Sequence, residues 1–393
     1  MWDNVNRTID SLYDEMVENR RYLHQHPELS FQEKNTSAFI AKKYDEWGIP
    51  YQKNIGGYGI VATLKGGKPG KTVALRADFD ALPIQEENDV PYKSTVPGVM
   101  HACGHDGHTA ALLGLAKAML PYQEELPGKV VFLHQPAEEY APGGAKPMIE
   151  NGALDGVDAV FGTHLWINAP VGVLQTSKGA FMAGADRFEI TIQGKGGHGA
   201  IPHETKDAIL IGSQLVTMLQ QIVSRRIDPL KTAVVSVGTF EAGQAFNIIA
   251  DTAKITGTVR VFEPELQDLI IQEMEKIIQS VCLPHEAEYD FHYAKGYPPL
   301  INHPGEADII LTDCKQVEGI VKTEEIEPVM AGEDFAYYLM ERPGAFYFTG
   351  AQKEGHVYPH HHPKFDFDER ALPLAAKTLL HAYRTYQERN RHN

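Results

Sequence analysis

Acidic, imidazole and thiol side chains recur in this sequence just after short apolar runs or at the opening of the segment that follows one, at five places far apart in the chain. Asp78 and Asp80 close TVALRADFD, and Cys103 and His105 lie in HACGHDGH. Glu138 and Glu139 follow KVVFLHQPA, His164 closes DAVFGTH, and His360, His361 and His362 follow GAFYFTG. These are the donors that hold divalent metals: thiolate and imidazole suit zinc and its neighbours, and carboxylates can bridge two ions and offset their charge. Adjacent Glu138 and Glu139 point in different directions, so one can bind metal while the other handles a proton. A metal lowers the pKa of water, but a base must still take the proton. Taken singly, a histidine after a strand is an ordinary structural residue, two neighbouring glutamates an ordinary solvated loop, and HHH an ordinary surface tract. Their recurrence at the ends of separate apolar runs favours one metal centre.

The elements that must position these groups alternate. Residues 33–47 read as an amphipathic helix, and 106–120 as a second one. Strands are expected at 59–64, 72–77, 129–134 and 158–163, which points to an α/β layer with a mostly parallel sheet. In open sheets of that kind, functional groups collect outside the carboxyl ends of the strands. From about Asp186 the pattern changes to strand, helix (205–225), two strands, helix and strand, the order of a ferredoxin-like split unit. After about Lys295 the first pattern resumes, with a helix near 304–318, a strand at 344–350 and a C-terminal helix from about Glu369. The expected architecture is α/β: a catalytic domain over 1–185 and 295–393, interrupted by an α+β domain over 186–294.

Length and composition agree with two globular domains: 393 residues, 43% hydrophobic and 22% charged. With 36 basic and 52 acidic side chains the formal charge is -16, and there is no Lys/Arg run to form a basic patch, so neither nucleic acid nor an anionic membrane is an expected partner. The polar N-terminus and the lack of a long apolar segment lead to an expectation of a cytoplasmic protein. Three cysteines fit the same reading: Cys103 sits in a motif, while Cys282 and Cys314 read as small core residues.

The segments RADFDALPIQE, HACGHDGHTA, QPAEE, GTHLW and HHPKFDFDE resemble, in order and over nearly the whole chain, the aminoacylase and carboxypeptidase family of co-catalytic metallohydrolases. The resemblance is to its amidohydrolase branch, which includes hippurate hydrolases and indole-acetyl-amino-acid hydrolases. It implies a zinc-peptidase-like catalytic domain and two divalent metal ions per subunit, with zinc, manganese, cobalt and nickel all compatible with these donors. Cys103, His105, Glu139, His164 and His361 then resemble the ligands, with His361 chosen over His360 and His362 because the family's ligand stands two residues before a proline, here Pro363. Glu138 resembles the general base acting on a water between the metals, and Asp80 the carboxylate that orients an active-site group. Asp78 stands where other branches carry a histidine ligand, and Glu333 and Asp334 in AGEDFAYY resemble a block at the catalytic rim without an assigned role.

The resemblance also implies that the inserted domain mediates a homodimer or higher homo-oligomer. His198 of GKGGHGAIPHETKDA would reach the partner's active site to stabilise an oxyanion. Asn247 and Arg260 would bind the carbonyl and carboxylate of a small substrate, and Arg260 lies on the strand face opposite Ile255, Val259 and Val261. The implied reaction is hydrolysis of an N-acyl-amino acid to a carboxylic acid and a free amino acid. A dipeptidase or carboxypeptidase would use the same machinery, and a non-catalytic binding protein is a third reading.

Overall fold

A computed structural model describes residues 1–391. In chain order the principal elements are α1 (Tyr13–Gln25), α2 (Lys34–Trp47), β1 (Tyr51–Ile55), β2 (Gly59–Lys65), β3 (Lys68–Asp78), α3 (His105–Met119), β4 (Pro127–Gln135), β5 (Ala159–Pro170) and β6 (Val173–Thr176). Next come β7 (Gly184–Gln193), α4 (Ala208–Gln221), β8 (Ala233–Ala242), β9 (Thr252–Val261), α5 (Pro264–Cys282) and β10 (Glu288–Tyr297). The chain ends with β11 (Lys322–Glu325), β12 (Gly344–Gln352) and α6 (Ala371–Arg389). They form two compact units, one from Met1–Phe181, Ile301–Glu327 and the residues from Asp334 onward, the other from Met182–Leu300 and Pro328–Glu333.

The first unit is built on an eight-stranded mixed sheet in the order β1-β2-β4-β3-β5-β12-β6-β11. Its central strands β4, β3, β5 and β12 run parallel and are almost continuously buried, as the apolar runs VVFL, TVALRA and GAFYFTG require. Helix α3 is buried nearly all round, with Leu112, Leu113, Leu115 and Met119 in the core against residues of α6, so it is held on every side at the end that carries His105.

The second unit is a four-stranded antiparallel sheet in the order β8-β9-β7-β10. Helices α4 and α5 bury Ile211, Leu215, Ile270, Met274 and Ile278 against Phe188, Ile190 and Ile255 of that sheet. With the element order β-α-β-β-α-β, this is the ferredoxin-like arrangement. Among the described residues no helix is long and apolar enough to cross a membrane.

Two sequence expectations need correction. His164 does not end its strand, because β5 runs on to Pro170. Its pairing with β3, however, stops at Gly162 opposite Arg76, so His164 stands two residues past the last pair, level with Asp78 at the end of β3. The helix expected near 304–318 is broken into Pro304–Asp308, a wide turn at Ile309–Asp313 and a tight one at Cys314–Gln316. The β-branched Ile309, Ile310 and Thr312 favour that interruption. Helix α1 was not anticipated, since its sequence YDEMVENRRYLHQ has a weak apolar stripe. Cys282 and Cys314 are buried and unpaired, as expected.

Candidate metal centre

The carboxyl ends of β3, β4 and β5, the start of α3 and the loop after β12 converge within the first unit. Asp78 is the last residue of β3, and Asp80 follows two residues on. Gly104, in a left-handed conformation at φ 100°, turns the chain into α3 directly after Cys103. Phe79 N–H donates to the Gln135 carbonyl at the end of β4 (3.0 Å), which keeps the two strand ends level where Asp80 and the Glu138–Glu139 pair emerge.

His105 sits at the middle of the cluster. Its Nδ1 is 3.1 Å from Asp80 Oδ1, which fixes the ring and turns Nε2 toward 3.8–3.9 Å contacts with Asp78 Oδ2, Glu138 Oε2 and Glu139 Oε1. Burial opposes charge on His105, but Asp78 and then Asp80 and Glu139 outweigh it and carry the imidazole up to about 10. Asp80 is shared: its Oδ2 also accepts from Ser30 Oγ (2.7 Å) and from the Glu139 N–H (3.0 Å).

Cys103 Sγ lies 3.3 Å from His164 Nε2, and His164 Nδ1 is 2.9 Å from the Leu165 carbonyl. Burial, then the charges of Glu139, Glu138 and Asp78, pushes the Cys103 thiol well above its ordinary range. Burial and the neighbouring imidazoles of His108 and His360 keep His164 neutral, with its pKa well below the ordinary value. His361, in a left-handed conformation at φ 65°, brings Nε2 to 3.2 Å from Glu139 Oε1. Its two neighbours are turned elsewhere: His360 Nε2 accepts the Ile167 N–H and His362 Nδ1 the Lys364 N–H.

Thus Asp80, Cys103, His105, Glu138, Glu139, His164 and His361 are brought together. Donor atoms of Cys103, His105 and His164, of Cys103, Glu139 and His361, and of His105, Glu138 and Glu139 each lie within 4.8 Å of one another. This set suits divalent cations. His105 Nε2 and Glu139 Oε1 are buried without a hydrogen-bond partner among the described residues, and a thiol beside two carboxylates ionises only if positive charge joins it. Asp78 belongs to a different pairing, held by Arg76 Nη1 (2.6 Å) and by His108 Nδ1 (2.6 Å).

The other predicted residues lie in the second unit. His198 and Asn247 are neighbours, since Gly197–His198 pairs with Ile248–Ile249 and the Gly199 N–H donates to the Asn247 carbonyl. Both side chains are exposed. Arg260 is half-buried, and its Nη1 turns back to Thr258 Oγ1 and the Val259 carbonyl. Glu333 also belongs to this unit, whereas Asp334 is buried in the first, where its carboxylate takes Arg76 Nη2, Gln135 Nε2 and the Ala145 N–H at 2.8–3.0 Å.

Sequence reasoning missed a buried charge cluster behind the centre. Arg20 of α1 donates from Nε to Asp106 Oδ2 (2.9 Å), from Nη2 to Asp366 Oδ1 (2.9 Å) and from Nη1 to Glu369 Oε1 (3.1 Å). Asp106 follows His105, and Asp366 and Glu369 follow His361, so one guanidinium ties together the two segments that carry donors. His24, from the same helix, joins Asp106 to Glu86. The weak signal in the sequence was Arg20 and His24 spaced four apart on one helix face.

The sequence pattern of Peptidase family M20/M25/M40 matches residues 74–385. The chain belongs to that family. It is a hydrolase of amide bonds. It is 48% identical over 301 residues to an N-acyl-L-amino acid amidohydrolase of Geobacillus stearothermophilus, covering 77% of this chain and 81% of that one. It is 40% identical over 385 residues to thermostable carboxypeptidase 1 of Saccharolobus solfataricus, covering 97% of each. The crystal structure of the YXEP protein of Bacillus subtilis, described as a dinuclear metal-binding peptidase of the M20 family, matches with a TM-score of 0.84 at 35% identity, over 96% of this chain and 99% of that one.

Proposed function

We propose that this family member is a metal-dependent amidohydrolase that converts an N-acyl-amino acid into a carboxylic acid and a free amino acid. The observation that carries the reading is the cluster of thiol, imidazole and carboxylate donors around His105, with the second carboxylate of an adjacent pair beside it. The likeness to a named N-acyl-L-amino acid amidohydrolase supports the substrate class, and the dinuclear relative supports two ions.

Cys103, His105, Glu139, His164 and His361 would hold two divalent cations. Such ions supply Lewis acidity that lowers the pKa of water and polarises a carbonyl. Glu138 takes the proton of the attacking water on its carboxylate and passes it to the departing amine. Asp80 accepts from His105 Nδ1 and so commits Nε2 to the centre. Neutral His164 keeps a lone pair on Nε2.

The second unit is proposed as the dimerisation domain, with the partner subunit's His198 stabilising the oxyanion and with Asn247 and Arg260 taking the substrate's carbonyl and carboxylate. Mixing Glu138→Gln with His198→Ala protein, each inactive alone, tests this: random exchange of subunits should restore about a quarter of full activity. No recovery after subunit exchange would contradict a shared site.

A carboxypeptidase reading is kept open by the Saccharolobus relative. Acetyl-, benzoyl- and aminoacyl-amino acids assayed side by side separate the two. Turnover confined to the aminoacyl compounds would overturn the amidohydrolase assignment.

A further inference from the structure

The two carboxylates at the centre stand on an unusual piece of backbone. Ala137, the residue before Glu138, has φ +55°, a left-handed conformation that any residue with a Cβ resists. It is fully buried, and Gly144 packs so closely on the preceding residue that a Cβ there would lie 1.9 Å from the Pro136 carbonyl oxygen. Two side chains grip the turn. Asp80 Oδ2 accepts the Glu139 N–H at 3.0 Å, and Glu33 Oε1 accepts the Ala137 N–H at 2.8 Å.

Glu33 comes from just ahead of helix α2. Its side chain is fully buried, and Oε2 has no hydrogen-bond partner among the described residues. Nothing in the reaction derived above uses it. An acidic residue with one oxygen devoted to a strained peptide and the other unpartnered is costly to bury, and beyond its own neighbourhood in the chain this carboxyl is hydrogen-bonded to the segment that delivers Glu138 and Glu139 to within 3.9 and 3.8 Å of His105 Nε2.

We propose that Glu33 is a positioning residue of the metal centre, which locks Ala137 in its left-handed conformation and thereby sets where Glu138 and Glu139 present their carboxylates. Burial, then the nearby charge of Asp80, lifts the Glu33 carboxyl to about 8. At neutral pH it therefore accepts through a carbonyl-like oxygen and adds no anion beside Asp80. Glutamine is accordingly its closest substitute. The inference rests on the proposed metal centre.

The test is a Co²⁺ titration of metal-stripped full-length protein, followed by the visible absorption of the bound ion, in wild type, Glu33→Ala, Glu33→Gln and Glu33→Ala combined with Ala137→Gly. Glu33→Ala should weaken Co²⁺ binding by about 10- to 100-fold, the usual effect of losing a group that orients ligands. Glu33→Gln should restore it, and Ala137→Gly should recover part of the loss, because glycine adopts positive φ without strain. If Glu33→Ala does not fold, Glu33→Met removes the acceptor while keeping the volume. Wild-type binding that the alanine or methionine variant leaves unchanged would overturn the inference alone, as would a loss that neither glutamine nor glycine relieves. Wild-type protein that binds no Co²⁺ would overturn the metal centre and this inference with it.

Discussion

His105 Nε2 and Glu139 Oε1 face each other at 3.8 Å, both buried and outside hydrogen-bond geometry with any described residue, while His361 Nε2 stands 3.2 Å from the same oxygen. Each such orphan costs about 1–3 kcal/mol, and a cation between them that takes the place of the His105 Nε2 proton gives both atoms a partner. Metal should therefore stabilise the fold. At 100 times its dissociation constant the gain is about 2.7 kcal/mol, read as a rise in the unfolding midpoint when Zn²⁺ or Mn²⁺ is added to stripped protein. An unchanged midpoint would mean that these atoms do not bind the ion.

Glu138→Gln removes the proton acceptor without removing a proposed ligand. The variant should bind two metal equivalents as wild type does while kcat drops by about 10²- to 10⁴-fold. Near-normal turnover at full metal content would show that another group takes the proton.

Arg20 is enclosed by Asp106, Asp366 and Glu369 and lies over the rings of Tyr92 and Phe367. Burial works against ionisation of Asp106, but Arg20 and His24 outweigh it and hold the carboxylate far below its usual range. Arg20→Met strands these charges and should cost about 3–5 kcal/mol, measured by urea unfolding. A loss under ~1 kcal/mol would show that the cluster relaxes around the gap.

Glu33 also predicts a pH effect. Its carboxyl, ordinarily near 4.5, is raised to about 8 in the folded protein. A raised value favours the protonated form, so its stabilising contribution is complete below about 4.5 and is lost as pH rises through about 8. Metal-stripped wild type should therefore lose stability relative to Glu33→Gln across that window, by at most about 1.4 kcal/mol per pH unit. Parallel stability curves would contradict this.

What the sequence disclosed and what it hid follow from distance along the chain. Asp80, Glu138 and Glu139 stand out because each follows an apolar run and strand ends of a parallel sheet share one edge, and Cys103 because it stands at the opening of a helix in HACGHDGH. His361 is set apart from His360 and His362 in the sequence only by the family resemblance at Pro363, whereas in three dimensions one ring nitrogen of each neighbour takes a backbone N–H. Arg20 and Glu33 look like solvated helix residues because their partners come from residues 106, 366 and 369 and from residue 137, far along the chain. Helix α1 was missed for the same reason: its inward face is partly ionic.

The central claim is metal-dependent cleavage of an N-acyl-amino acid. It is tested most directly by measuring free amino acid released from acetyl- and benzoyl-amino acids by stripped protein resupplied separately with Zn²⁺, Mn²⁺, Co²⁺ and Ni²⁺. The predicted result is release that is absent from stripped protein, returns with at least one ion, and disappears in Glu138→Gln. Release that persists unchanged in fully stripped protein, or silence across the panel in protein shown to hold two metal equivalents, would contradict it.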